Sequence, residues 1–298
     1  MGKTVVIKKI FYAVLSAGVL TTFFYLIGVY KNNETIADLK ELELQDHLEK
    51  SIVWLVNNKQ KITSESNVML WWMLYEAYEL GGDKRLFELL DLFYQKNNSV
   101  RRGLWKPLFG GPKKSYISSS GLDGFPYYNI HFIYALNCAL NLEYEIPIVD
   151  QQNKSNFCYQ SSYIYRPACI THQLMGLNFL KVQSCDGVDK VDEVISDLQN
   201  AIVSQLTWDI RVVDVYLQRV MMLLITGQVD KVKPVWIKQI LDHQLADGGW
   251  GDFDALVNFG GTKSLGFGSK IISLGSEKSS FHATAQGVYL LTMLTNAR

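Results

Sequence analysis

The chain has no excess of either charge, with 29 Lys and Arg against 29 Asp and Glu. A protein that binds a polyanion carries a basic field, so this balance argues against nucleic acid as a partner. Long hydrophobic runs are also scarce. Beyond the first thirty residues the most apolar stretch, Val212 to Thr226, is interrupted by Asp214, Gln218 and Arg219, which argues against a second membrane crossing. Alternating apolar and polar runs are few, which sets aside a β architecture. Neither glycine pair, Gly110-Gly111 or Gly260-Gly261, sits in a Walker pattern. Only four cysteines occur, Cys138, Cys158, Cys169 and Cys185.

The one long apolar run covers residues 10–30, IFYAVLSAGVLTTFFYLIGVY, and holds no charge over 21 positions. At about 1.5 Å per residue it matches a hydrocarbon core of about 30 Å. The run is longer than the apolar part of a cleaved signal peptide, which favours a retained anchor. Lys3, Lys8 and Lys9 precede it, whereas Lys31 and Lys40 beyond it are mixed with Glu34, Asp38 and Glu41. The Lys/Arg bias puts the amino terminus in the cytoplasm and the body in the periplasm or a lumen. The expected organisation is a cytoplasmic tail and signal-anchor helix over 1–31, then one domain over 32–298. In that compartment the cysteines can bridge, with three pairings open and Cys158–Cys185 the first expectation.

The body reads as all-α. Apolar residues recur at helical spacing over 35–57, 66–80, 84–96, 128–142, 167–181, 188–206, 211–226, 233–246 and 282–295. Segments 66–80, 128–142, 167–181, 211–226 and 282–295 are apolar nearly all round, and the other four are amphipathic. Buried and surface helices largely alternate, the pattern of an α/α toroid with an inner and an outer ring. The chain also echoes itself. Phe109-Gly110-Gly111-Pro112-Lys113 recurs as Phe259-Gly260-Gly261-Thr262-Lys263 at an offset of 150, with Trp105 and Trp250 upstream. His131 and His282, at an offset of 151, each open an apolar helix downstream, and Asp83-Lys84 echoes Asp230-Lys231. Two half-repeats, about 66–142 and 212–295, follow from this order.

The segment Gln244-Leu245-Ala246-Asp247-Gly248-Gly249-Trp250 fits Q-x3-G-x-W, the core of the QW motif of terpenoid cyclases. With the later SSFHATAQGVYLLTML it resembles the α/α-toroid group of terpenoid cyclases and protein prenyltransferases. The resemblance spans residues 244–294, with a fainter echo around Trp105 where the glutamine spacing fails. It implies architecture and not chemistry. The acidic D-x-D-D of class II cyclases is incomplete, since Asp252-Phe253-Asp254 is followed by Ala255. Prenyltransferases hold zinc with Asp, Cys and His, the last opening a late inner helix as His282 does, but no D-x-C partner exists here.

In a toroid the amino ends of the inner helices share one mouth, so His131, His172 and His282 are expected to converge there as catalytic candidates, together with Asp252 and Asp254. Asp123, and Asp209 and Asp214 flanking Arg211, reach the same mouth. Two carboxylates across a cleft can act as acid and base on a glycosidic bond. Trp105, Trp250 and Tyr128 are candidate stacking surfaces for a sugar, and Lys113 and Lys263 candidate phosphate contacts. Cys169 and His172 share a helical face and with His282 and His131 make a zinc-like S/N set. Three readings stay open: an enzyme acting on a carbohydrate or lipid-linked substrate, a non-catalytic module binding a glycan, lipid or protein, and a diverged terpenoid cyclase or prenyltransferase.

Overall fold

The structure, a computed structural model, describes residues 2–97, 103–159, 165–186, 191–258, 260, 263–268 and 272–296. In chain order the helices are α1 (Gly2–Asn32), α2 (Glu41–Asn57), α3 (Lys59–Ile62), α4 (Val68–Gly81), α5 (Lys84–Lys96), α6 (Tyr127–Asn137) and α7 (Asn141–Glu145). They continue with α8 (Pro147–Gln152), α9 (Asn156–Tyr159), α10 (Cys169–Val182), α11 (Val191–Trp208), α12 (Asp214–Ile225), α13 (Pro234–Asp242) and α14 (Phe281–Asn296). Strands β1 (Phe253–Asn258), β2 (Ser264–Gly268) and β3 (Ile272–Gly275) form an antiparallel sheet in the order β1-β2-β3.

The fold is mostly helical, and local chemistry sets several helix ends. Asn67 caps α4 by accepting the Met69 amide at 3.2 Å, and Gly82, at φ 69°, stops it in a left-handed turn. Asp83 then caps α5 by accepting the Arg85 amide at 2.8 Å. The apolar segment expected over 128–142 ends early, because Cys138 takes φ 52° and turns the chain out of α6. Residues 188–190 of the expected segment 188–206 lie outside the described residues.

The five helices that are apolar all round are neighbours in the succession α6, α10, α12, α14, α4. Trp72 of α4 meets Phe179 of α10 at 5.3 Å and Tyr289 of α14 at 5.8 Å between ring centroids, so aromatics fill the space between them. Amphipathic helices pack on these, α2 on α14, α5 on α4 and α11 on α10.

The sheet is a departure from the all-α expectation. Its strands carry Gly266, Gly268 and Gly275, and the Phe253 ring lies where a Cβ at Gly266 or Gly275 would sit, 2.7 and 2.6 Å away. Glycine at those positions removes the side-chain alternation by which a strand is read. Gly110 and Gly260 of the repeated motif are both left-handed, at φ 73° and 80°. Their surroundings differ: a short 3-10 turn, Lys106–Phe109, precedes the first and the sheet brackets the second. Phe259, Gly261 and Thr262 lie outside the described residues.

Helix α1 is long and apolar enough to cross a membrane, with a mean hydropathy of 1.5 over Val14–Lys31. Its last turns are built into the body. Asn32 is buried: its side-chain N–H donates to the Leu206 carbonyl at 2.5 Å and its Oδ1 accepts the Tyr216 hydroxyl at 2.7 Å. The Trp236 indole donates to the Asn32 carbonyl, and the Asn33 amide to the Thr207 carbonyl.

Two disulfides replace the expected Cys158–Cys185 bridge: Cys138–Cys185 and Cys158–Cys169, with Cα separations of 5.2 and 5.7 Å. The reason is topological. Neighbouring α6 and α10 bring Cys138 and Cys185, just past their carboxyl ends, into reach, while Cys158 lies only 11 residues before Cys169.

Candidate functional site

Residues at the amino ends of α4, α6, α10, α12 and α14 line one cavity of about 620 Å³. Residues from the first turns or just before them, Asn67, Asn129, Asp214 and His282, make a polar rim, and residues a turn further along, Met73, Phe132 and Met175, make an apolar floor. Five helix starts at one place also leave a field that favours negative charge, which Glu65, Asp123 and Asp214 partly offset.

The centre of the site is a histidine–carboxylate pair. His282, second residue of α14, places Nδ1 at 3.1 Å from Oδ2 of Asp214, first residue of α12. The carboxylate holds the Nδ1–H tautomer and makes Nε2 the accepting nitrogen of the ring. The Gln286 amide lies one turn along, 3.4 Å from Nε2. The His282 side chain is 42% exposed and that of Asp214 16%, so the imidazole faces the open cavity and its partner is shielded.

His172 forms the adjoining wall. Its ring stacks on Tyr128 at 4.4 Å and meets the edge of Phe132. These low-dielectric surroundings, with the neighbouring His282 adding to them, push its pKa down to about 4. It is therefore neutral near pH 7, suited to hydrogen bonding rather than to holding an anion by charge. Trp105 and Tyr128 also line the cavity.

The other expected residues are elsewhere. His131 is fully buried in the core. One ring nitrogen is 2.9 Å from Asn153 Oδ1, the other has no hydrogen-bond partner among the described residues, and the ring lies against Gly176, where a Cβ would approach to 2.1 Å. The bulk of His131 filled by α10 turns it away from the cavity, and burial lowers its pKa to about 4. Asp254 is buried, accepting the Val212 amide at 3.2 Å, with His243 at 3.5 Å; Asp252 is exposed beside it and outside the cavity lining. Neither lines the cavity: Asp254 is turned to the Val212 amide and Asp252 to solvent. Asp209 is held between Arg211 and Arg219 at 2.6 and 2.7 Å, a buried network that anchors the chain before α12.

Trp250 is not a stacking surface. The indole lies on Gly287 of α14, where a Cβ would come within 2.5 Å of the ring, and its N–H donates to the Ile240 carbonyl at 2.8 Å. Gln244 closes the same loop by donating to the Gly248 and His47 carbonyls. Lys113 donates to the Gln183 carbonyl at 2.5 Å, at the carboxyl ends of α6 and α10 and so at the end of those helices away from the cavity. Lys263 is exposed before β2 and outside the cavity lining. The zinc set of Cys169, His172 and His282 lacks its thiolate, since Cys169 is bridged to Cys158. Among the described residues no group of three or more His, Cys, Asp and Glu is arranged to hold a metal.

Of the acids expected at the mouth, Asp214 is the one that meets a histidine there. Its signal was a charge opening an otherwise apolar helix, as His282 opens α14. No protein family, characterised protein or solved structure matches this chain.

Proposed function

We propose that this chain is a membrane-anchored enzyme of α/α-toroid architecture, using the His282–Asp214 pair for acid–base chemistry on an amphipathic carbohydrate or lipid-linked substrate. One observation carries the reading: a carboxylate-oriented imidazole facing an open cavity with a polar rim and an apolar floor. In such chemistry a water or substrate hydroxyl gives its proton to Nε2 of His282 as its oxygen attacks, Asp214 stabilises the imidazolium, and the proton returns to the leaving oxygen. Neutral His172 and the Tyr128 ring suit a sugar or headgroup held beside that nitrogen.

The toroid is supported by the succession of apolar helices and by the Lys106–Phe109 turn, which touches both α4 and α6 where that succession would close. The resemblance of Gln244–Trp250 to the QW motif speaks for the same architecture, with both side chains used as fold staples. The membrane placement is supported by the length of α1 and its lysine-rich amino end, and the body's two disulfides suit an oxidising periplasm or lumen.

The test is to incubate full-length protein in nanodiscs with membrane lipid and glycan extracts and to follow consumption by mass spectrometry. Wild type is expected to consume one class of molecule, and His282→Ala and Asp214→Asn to slow this about 10²-fold or more. Equal consumption by His282→Ala overturns the catalytic role. Retention without consumption, unaffected by His282→Ala, identifies a binding module instead.

A further inference from the structure

The sheet has an uncovered apolar face. Its register, with a bulge between Ala255 and Val257 on β1, sets the row Val257, Leu265 and Leu274 on the same face as the row Asp254, Phe267 and Ile272. Val257, Ile272 and Leu274 are 48%, 56% and 65% exposed. The opposite face holds Phe253, Ala255, Gly266, Ser273 and Gly275, with the Phe253 ring lying over Gly266 and Gly275. An exposed apolar patch of this kind marks an interface.

Its position decides what covers it. Asp254 roots the sheet on the Val212 amide. Two residues earlier, Ile210 presses on Gly28 of α1, where a Cβ would come within 2.9 Å of its Cδ1. Two residues before that, the Trp208 carbonyl accepts the Tyr25 hydroxyl at 2.9 Å. Two residues reach at most about 7 Å, so the root of the sheet stands that close to the residue packed on α1. Phe23, Phe24 and Leu26 of that helix are more than half exposed. Tyr25 lies about 9 Å along the helix from Lys31, and Trp208, whose carbonyl it meets, is 49% exposed.

We propose that the apolar face of the sheet lies on the bilayer that α1 crosses, so that the body rests in the headgroup layer on two supports. The inference rests on the reading of α1 as an anchor. Val212 is two residues from Asp214 in the cavity wall, so this seating sets the candidate site at the membrane surface. The substrate class it selects is a bilayer-resident amphiphile presenting its headgroup.

Nitroxide labels on full-length protein in phospholipid nanodiscs test it. All four cysteines are bridged, so a label on Leu274→Cys or Ile272→Cys occupies the single free thiol. Val19→Cys on α1 and Glu88→Cys on the exposed face of α5 are the lipid and water references. At 272 and 274, collision with oxygen is expected to exceed collision with a water-soluble nickel chelate, as at 19 and opposite to 88. Behaviour at both positions like that at 88 overturns the seating while the anchor stands. Protection with dipolar broadening that vanishes on dilution with unlabelled protein overturns it in favour of a second copy. Nickel access at 19 overturns the anchor reading and the seating together.

Discussion

His131 is a neutral imidazole in the core, with one nitrogen on Asn153 and the other without a partner among the described residues. Burial lowers its pKa to about 4, against about 6.5 in the unfolded chain. Between those values the unfolded state binds one more proton, so this contribution to stability is intact above about pH 6.5 and is lost as pH falls to about 4. His172, also lowered to about 4, adds in the same direction. Denaturation midpoints measured across this window are expected to fall with pH, and His131→Leu to flatten the slope by roughly 1.4 kcal/mol per pH unit. Two histidines at the start of similar apolar helices thus do different work. His282 meets Asp214 across the cavity, whereas His131 meets Gly176 and Asn153, partners that helical spacing does not reveal.

At the level of elements, α5 was legible to its ends because Gly82, Asp83 and the amphipathic period all agree. The extent of α6 was not, since the apolar residues run on through Cys138 and only the left-handed turn there ends the helix. That turn is tied to the end of α10 by the Cys138–Cys185 bridge, which closes 47 residues, against 11 for Cys158–Cys169. In the chain-entropy account, loops of these lengths are worth about 4 and about 3 kcal/mol. Paired serine replacements are therefore expected to lower unfolding free energy more at 138 and 185 than at 158 and 169, as read from urea titrations. The sheet escaped notice because glycine stands where alternation would have shown, and because its exposed side is the apolar one.

Across the whole molecule, Asn32 joins α1 to the body. Replacing it with alanine leaves the Leu206 carbonyl and the Tyr216 hydroxyl without their partner in a buried place. Asn32→Ala is expected to cost about 1–3 kcal/mol and to speed proteolysis of the Asn33–Lys40 connection several-fold, as followed by gel and mass spectrometry. A rigid joint matters because it fixes the direction of α1 relative to the cavity. The apolar span, the helical segments and the division into all-round apolar and amphipathic helices are properties of short stretches of chain, and reading them needed only hydropathy and period. Which cysteines bridge, which histidine finds a carboxylate, that Lys113 lies at the far end of its helices and that Trp250 is packed on a glycine are all decided between residues far apart in the chain. His282 and Asp214 are separated by 68 positions; nothing local to either one encodes the other, and only packing α12 beside α14 brings them to 3.1 Å.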